Sequence, residues 1–180
     1  MEFLAEQWLP ILASAVIVWI ASFLMHMVLP LHKGEWRGLP DEASALETIR
    51  KAPPGSYMFP WCSMAEMKDP AVQEKIKRGP NGIMVVWSGP TNFGASLVST
   101  LVFYIVVGIF VAYLADHTLP PASEYLARFR ICGCAAFLAH GLGWIPTVIW
   151  FRMPGFWTYL FDGLVYALLT AGTFGWLWQQ

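Results

Sequence analysis

The sequence predicts an all-α membrane protein, with four transmembrane helices in a compact bundle and a structured cytoplasmic loop between the first and second. Three observations predict it. Hydrophobic residues make up 57% of the chain and charged residues only 13%, against about 25% charged in soluble domains. Four stretches, Trp8–Val28, Phe93–Ala115, Ile131–Phe151 and Phe156–Trp178, each reach the roughly 20 apolar residues that cross hydrocarbon. None of the four contains a lysine or arginine.

The first element, residues 1–30, is read as a retained span. Its leading MEFLAEQ carries two glutamates and no base, and its apolar run exceeds that of a cleaved signal peptide. Residues 31–92 form the aqueous part. LPDEASALETIRK has Pro40 near the first turn of a helix, acids early and Arg50 and Lys51 late, as the helix dipole favours. DPAVQEKIKRGP is a second helix, capped by Asp69, opened by Pro70 and stopped at Gly79-Pro80. Ser63 to Glu66 fits a capping box. SYMFPW and IMVVW are extended segments that either pair or lie on headgroups. Too many aromatic and helix signals are present for disorder, so the loop is read as a cap on the helix ends. Residues 93–180 hold the remaining three spans.

Eight of the eleven basic residues, Lys33, Arg37, Arg50, Lys51, Lys68, Lys75, Lys77 and Arg78, lie between the first two spans, and Arg152 falls on the same side. Arg128 and Arg130 alone face the other way. The positive-inside rule then makes the long loop cytoplasmic and both termini periplasmic. Trp8, Trp150, Trp157, Trp176 and Trp178 mark span ends, as interfacial indoles do. A net charge of −1 gives no electrostatic case for nucleic acid.

Membrane helices associate through small residues spaced four apart. Gly163, Ala167, Ala171 and Gly175 make such a groove on span four. Gly133, Ala136, His140, Gly143 and Thr147 line a face of span three, and Gly108 and Ala112 one of span two. Pro146 removes an amide donor and leaves the Leu142 carbonyl free, which predicts a kink in span three.

Ionisable groups inside hydrocarbon mark function or specific packing. Asp162 lies about 9 Å, and His26 about 6 Å, from the same membrane face at 1.5 Å per residue. A hydrogen-bonded Asp162–His26 contact is therefore expected, with Tyr166 one turn along and Arg152 able to snorkel toward the acid. His140 sits mid-span, about 10 Å deeper than His26, which argues against haem held by two histidines of this chain. Cys132 and Cys134 point about 200° apart on a helix, so no metal is assigned to them. No role is assigned to His32 or His117. No hydrolase, phosphate-loop or calcium motif is present, no cofactor or catalytic residue is predicted, and no metal site is expected.

LHKGEWRGLPDEASALETIRKAPPGSYMFP, KRGPNGIMVVWSGP and FDGLVYALLTAGTFGWLW resemble a group of uncharacterised small bacterial membrane proteins with one span, a soluble loop and three further spans. More distantly, the last two spans resemble a broader uncharacterised four-helix family with an acid early in span four. The resemblance covers most of the chain and implies this topology in a bacterial inner membrane. It carries no activity. The leading expectation is a non-catalytic accessory or structural subunit of a larger respiratory or photosynthetic membrane complex, contacting lipids and other membrane subunits or itself. The alternative is a small oligomeric transporter or channel, or a cofactor-binding membrane enzyme, centred on Asp162, His26 and His140. A cavity reaching Asp162 would favour the alternative; a dry, fully packed interior would favour the subunit.

Overall fold

The computed structural model describes residues 2–178; Met1, Gln179 and Gln180, which the sequence reading counts within the first and last segments, lie outside it. The chain is 69% helical. Four helical stretches are long and apolar enough to cross a membrane: Trp8–Val28, Phe93–Thr118, Tyr125–Phe151 and Phe156–Leu177. The chain divides into two units, one made of residues 1–36 with 92–180 and the other of residues 37–91.

In the first unit a short α1 (Glu2–Glu6) leads into α2 (Trp8–Phe23), whose last turn widens into a π-helix over Leu24–Val28. Leu29 is extended at ψ 146°, as the residue before a proline prefers. Pro30 then opens a single 3-10 turn, Pro30–His32. This turn groups residues 31–36 with the helices, although the sequence reading assigns them to the loop. The reversal at Pro30 brings the polar residues beyond it back toward α2.

The second unit contains α3 (Glu42–Ile49) and α4 (Pro70–Arg78), with strands β1 (Gly55–Phe59) and β2 (Gly82–Val86). Asp41 caps α3 by accepting from the Ser44 amide, and Asp69 caps α4 by accepting from the Ala71 amide at 2.8 Å. Ser63 and Glu66 bond reciprocally as a capping box. The two strands pair antiparallel, Gly55 opposite Val86 and Phe59 opposite Gly82. Peptide bonds Phe59-Pro60 and Gly79-Pro80 are cis. Asp69→Ala should cost α4 about 1 kcal/mol, seen as faster hydrogen exchange of its first-turn amides with the rest of the chain unchanged.

Returning to the first unit, α5 (Phe93–Thr118) is capped by Asn92, whose side chain accepts from the Ala95 amide. The third span begins at Tyr125, not Ile131, so Arg128 and Arg130 lie inside α6 (Tyr125–His140). Arg128 is satisfied there by the Ser123 carbonyl, 2.8 Å from its Nε, and by the Gly175 carbonyl. Beyond His140 the helix breaks into a 3-10 turn, Leu142–Trp144, before α7 (Ile145–Phe151) resumes. A proline at position 146 removes the amide that the Leu142 carbonyl would have used, and the ladder tightens locally instead. Arg152, left-handed at φ 50°, and Gly155, at φ 87°, turn the chain into α8 (Phe156–Leu177).

Small residues set how the helices meet. The stripe Gly163, Ala167, Ala171 and Gly175 is buried along α8. Gly163 lies against the backbone of Gly141, Gly175 against the ring of Tyr125, and Gly133 of α6 against Ala171. Gly108 and Ala112 are buried on α5, Gly108 against the Ile11 backbone of α2. The Trp19 indole donates to the Leu97 carbonyl at 3.0 Å, joining α2 to α5. Leu12, Val16, Val102, Phe110, Leu164 and Leu168 face outward. Small residues let the helices approach closely, and Phe174, Val111 and Val18 fill the space between them.

Candidate functional site

The site is built where the end of the first span, the turn after it and the start of α8 converge. Asp162 is buried at 2% exposure. Its Oδ2 lies 2.9 Å from His32 Nε2 and 3.6 Å from His26 Nε2. The two imidazoles stack with centroids 4.2 Å apart and planes 12° from parallel. The π-turn carries His26 and the Pro30 turn carries His32, so the local backbone irregularities place both rings over one carboxylate.

Each ring also has its Nδ1 anchored. His26 Nδ1 donates to the Ser22 carbonyl at 3.1 Å. His32 Nδ1 meets Glu35 Oε2 at 2.9 Å, and Thr158 donates its hydroxyl to the other oxygen of Glu35. Gly155 makes room for this arrangement, since a Cβ there would meet Glu35 Oε1 at 2.6 Å. Burial acts to lower the pKa of His32, but the Glu35 hydrogen bond and the charges of Asp162 and Glu35 outweigh it and raise the group above its ordinary value. Burial acts to raise Glu35, yet its bonds to Thr158 and His32 hold it below the usual carboxylate range.

A cavity of about 470 Å³ opens beside Asp162. His26, Phe103, Tyr104, His140, Trp144, Tyr159 and Tyr166 line it together with small residues of the third span. The His140 ring meets Tyr104 and Tyr166 edge-on at 5.5 and 5.8 Å. Among the described residues, three buried side-chain polar atoms lack a protein partner: Trp144 Nε1, Asp162 Oδ1 and Tyr166 Oη. All three belong to residues lining this cavity.

The structure thus brings His26, Asp162, Tyr166 and His140 to one cavity. Arg152 does not join them: it is exposed in the left-handed turn and forms no ion pair among the described residues. His32 holds the position next to Asp162 toward which Arg152 is able to snorkel. The expected Asp162–His26 hydrogen bond is a longer 3.6 Å approach, and the direct bond comes from His32. Sequence reasoning passed over His32, Glu35 and Thr158. The readable signal was Pro30 followed by His32 and Glu35 at a spacing of three, a turn that returns polar groups toward the span it has just left. Cys132 is buried and Cys134 exposed, on opposite sides of α6.

One ligand atom from each of His26, His32 and Asp162 lies within 4.8 Å of the others, close enough for the three to converge on one metal ion. No protein family, characterised protein or solved structure matches this chain, so what the site does must be read from its own geometry.

Proposed function

We propose that this protein binds a small amphipathic molecule inside the membrane, in the cavity beside Asp162, as a ligand-binding protein or membrane enzyme. The observation that carries this reading is that three buried polar atoms without a protein partner belong to residues lining one cavity. A buried polar group left unsatisfied costs about 1–3 kcal/mol, and native folds keep such groups few. A volume of about 470 Å³ falls within the range of small-molecule sites, which combine aromatic walls with a few polar groups. Trp144 offers a donor, Asp162 an acceptor and Tyr166 either, so the ligand pairs a flat apolar body with hydrogen-bonding groups at one edge.

Of the two sequence expectations, the open pocket reaching Asp162 favours the second. The helices form a compact four-helix bundle in a bacterial inner membrane, with the segment between the first two spans cytoplasmic and both termini periplasmic. The distribution of lysine and arginine supports that orientation. The His32–Glu35–Thr158 cluster then lies at the cytoplasmic end of the site.

The test is mild-detergent purification from the native membrane, followed by organic extraction and mass spectrometry. Ala139 lines the cavity at an exposed position, and Ala139→Trp fills the space without overpacking a buried site. A compound bound by the wild type and missing from Ala139→Trp is the expected result. Identical extracts from the two proteins would overturn the reading.

A further inference from the structure

We infer that His26, His32 and Asp162 form a binding site for a divalent first-row transition cation of the zinc class, with Glu35 and Thr158 as its supporting groups. The inference rests on the pocket reading for the use made of the ion, and is independent of it for whether the ion binds.

Distances come first. Zinc binds imidazole nitrogen at about 2.0–2.1 Å and carboxylate oxygen at about 2.0–2.2 Å, so ligand atoms around a tetrahedral ion lie about 3.3–3.5 Å apart. The separations from Asp162 Oδ2, 3.6 Å to His26 Nε2 and 2.9 Å to His32 Nε2, bracket that value. The two rings stack 12° from parallel, so one imidazole tilts out of the stack to bring both in-plane lone pairs onto a shared ion.

Proton placement points the same way. A carbonyl oxygen only accepts, so the hydrogen on His26 Nδ1 is fixed by its bond to Ser22. With its Nδ1–H given to Ser22, His26 has Nε2 left to offer, and that nitrogen faces the Asp162 carboxylate at 3.6 Å. His32 meets a carboxylate at each nitrogen, an arrangement that either an imidazolium or a metal-bound imidazole satisfies. A metal on Nε2 leaves Nδ1–H for Glu35, the carboxylate–histidine–metal relay that orients ligating histidines.

Charge completes the case. Asp162 and Glu35 have side chains only 3% and 9% exposed. Among the described residues no lysine or arginine pairs with either. A divalent cation balances both carboxylates. Asp162 Oδ1, buried and unpartnered, is free to make the site bidentate. His26 and Asp162 also line the cavity, so an ion held between them is reachable from it. Imidazole with carboxylate suits zinc and its first-row neighbours, whereas magnesium and calcium take oxygen ligands.

The experiment uses the full chain in detergent, with any purification tag removed and metal stripped by chelator. Co²⁺ is titrated while its visible d–d absorption is followed, then displaced with Zn²⁺ and counted by elemental analysis. The wild type should take up a single saturable equivalent with the spectrum of a low-coordinate nitrogen–oxygen site. The near-isosteric Asp162→Asn and the half-exposed His26→Ala should lose saturable uptake while keeping the wild-type circular dichroism and gel-filtration profile. Glu35→Gln should retain uptake but weaken it about 10–100-fold, as loss of an outer-shell partner does. Absence of saturable uptake by the wild type, or undiminished uptake by folded Asp162→Asn, overturns the inference and leaves the cluster held by protons. Ala139→Trp separates the two readings, since it should lose the extracted organic compound and keep the metal.

Discussion

His32→Ala is expected to destabilise the metal-free protein by about 3–5 kcal/mol, the cost of removing one partner from a buried charge cluster. His32 is the group that both Glu35 and Asp162 contact at 2.9 Å. Without it, two poorly solvated carboxylates lose their shared cationic partner. His26→Ala should cost far less, no more than about 1 kcal/mol, because its side chain is 38% exposed and 3.6 Å from the acid. Equilibrium unfolding of chelator-treated protein in mixed detergent micelles measures both. Equal losses in the two variants would show that His32 does not hold the cluster together. A triple replacement, His32→Leu with Glu35→Leu and Asp162→Leu, should recover much of the loss, since well-packed apolar groups often replace buried ion pairs at little cost.

The second large effect is at the tightest helix contact. Gly163→Ala should cost about 2–3 kcal/mol through overpacking. A Cβ there would lie 2.6 Å from the Gly141 amide nitrogen and 2.9 Å from the His140 carbonyl carbon. Both are backbone atoms, which cannot rotate away, so α6 and α8 must separate. The displacement begins at the break in the third span, next to Gly143 and Trp144 of the cavity wall, and ligand retention should fall with stability. Gly172→Ala is the matched control on the same helix. Nothing lies within 4 Å of the added methyl, and relief of glycine's backbone entropy should stabilise by about 0.5–1 kcal/mol. If Gly163→Ala melted like Gly172→Ala, close approach at Gly163 would not be what sets the α6–α8 packing.

Local signals in the sequence translated well into structure. The Asp69-Pro70 start and the Gly79-Pro80 stop bound α4 because a cap and a proline act within one turn, needing no tertiary help. The spans were equally plain, since hydropathy sums over some twenty residues. The small-residue stripe on α8 was readable for the same reason, being a repeat along a single helix. The site was half legible. Depth from the membrane face put His26 and Asp162 on one level, but depth alone does not say which way a ring points. The π-turn at Leu24–Val28 and the fold-back at Pro30 decide that, and neither has a periodic signature. His32 therefore read as a loop residue, although it makes the direct bond to Asp162. Arg152 was expected near the acid because charge and reach were counted without the left-handed turn that follows α7.

The direct bond across the site joins residues 130 positions apart, and that interval has a consequence for biogenesis. Ribosomes add about 5–20 residues per second, so both imidazoles are synthesised on the order of ten seconds before the acid. A carboxyl group is costly to insert by itself, and in this chain the residues that satisfy Asp162 are made well before it.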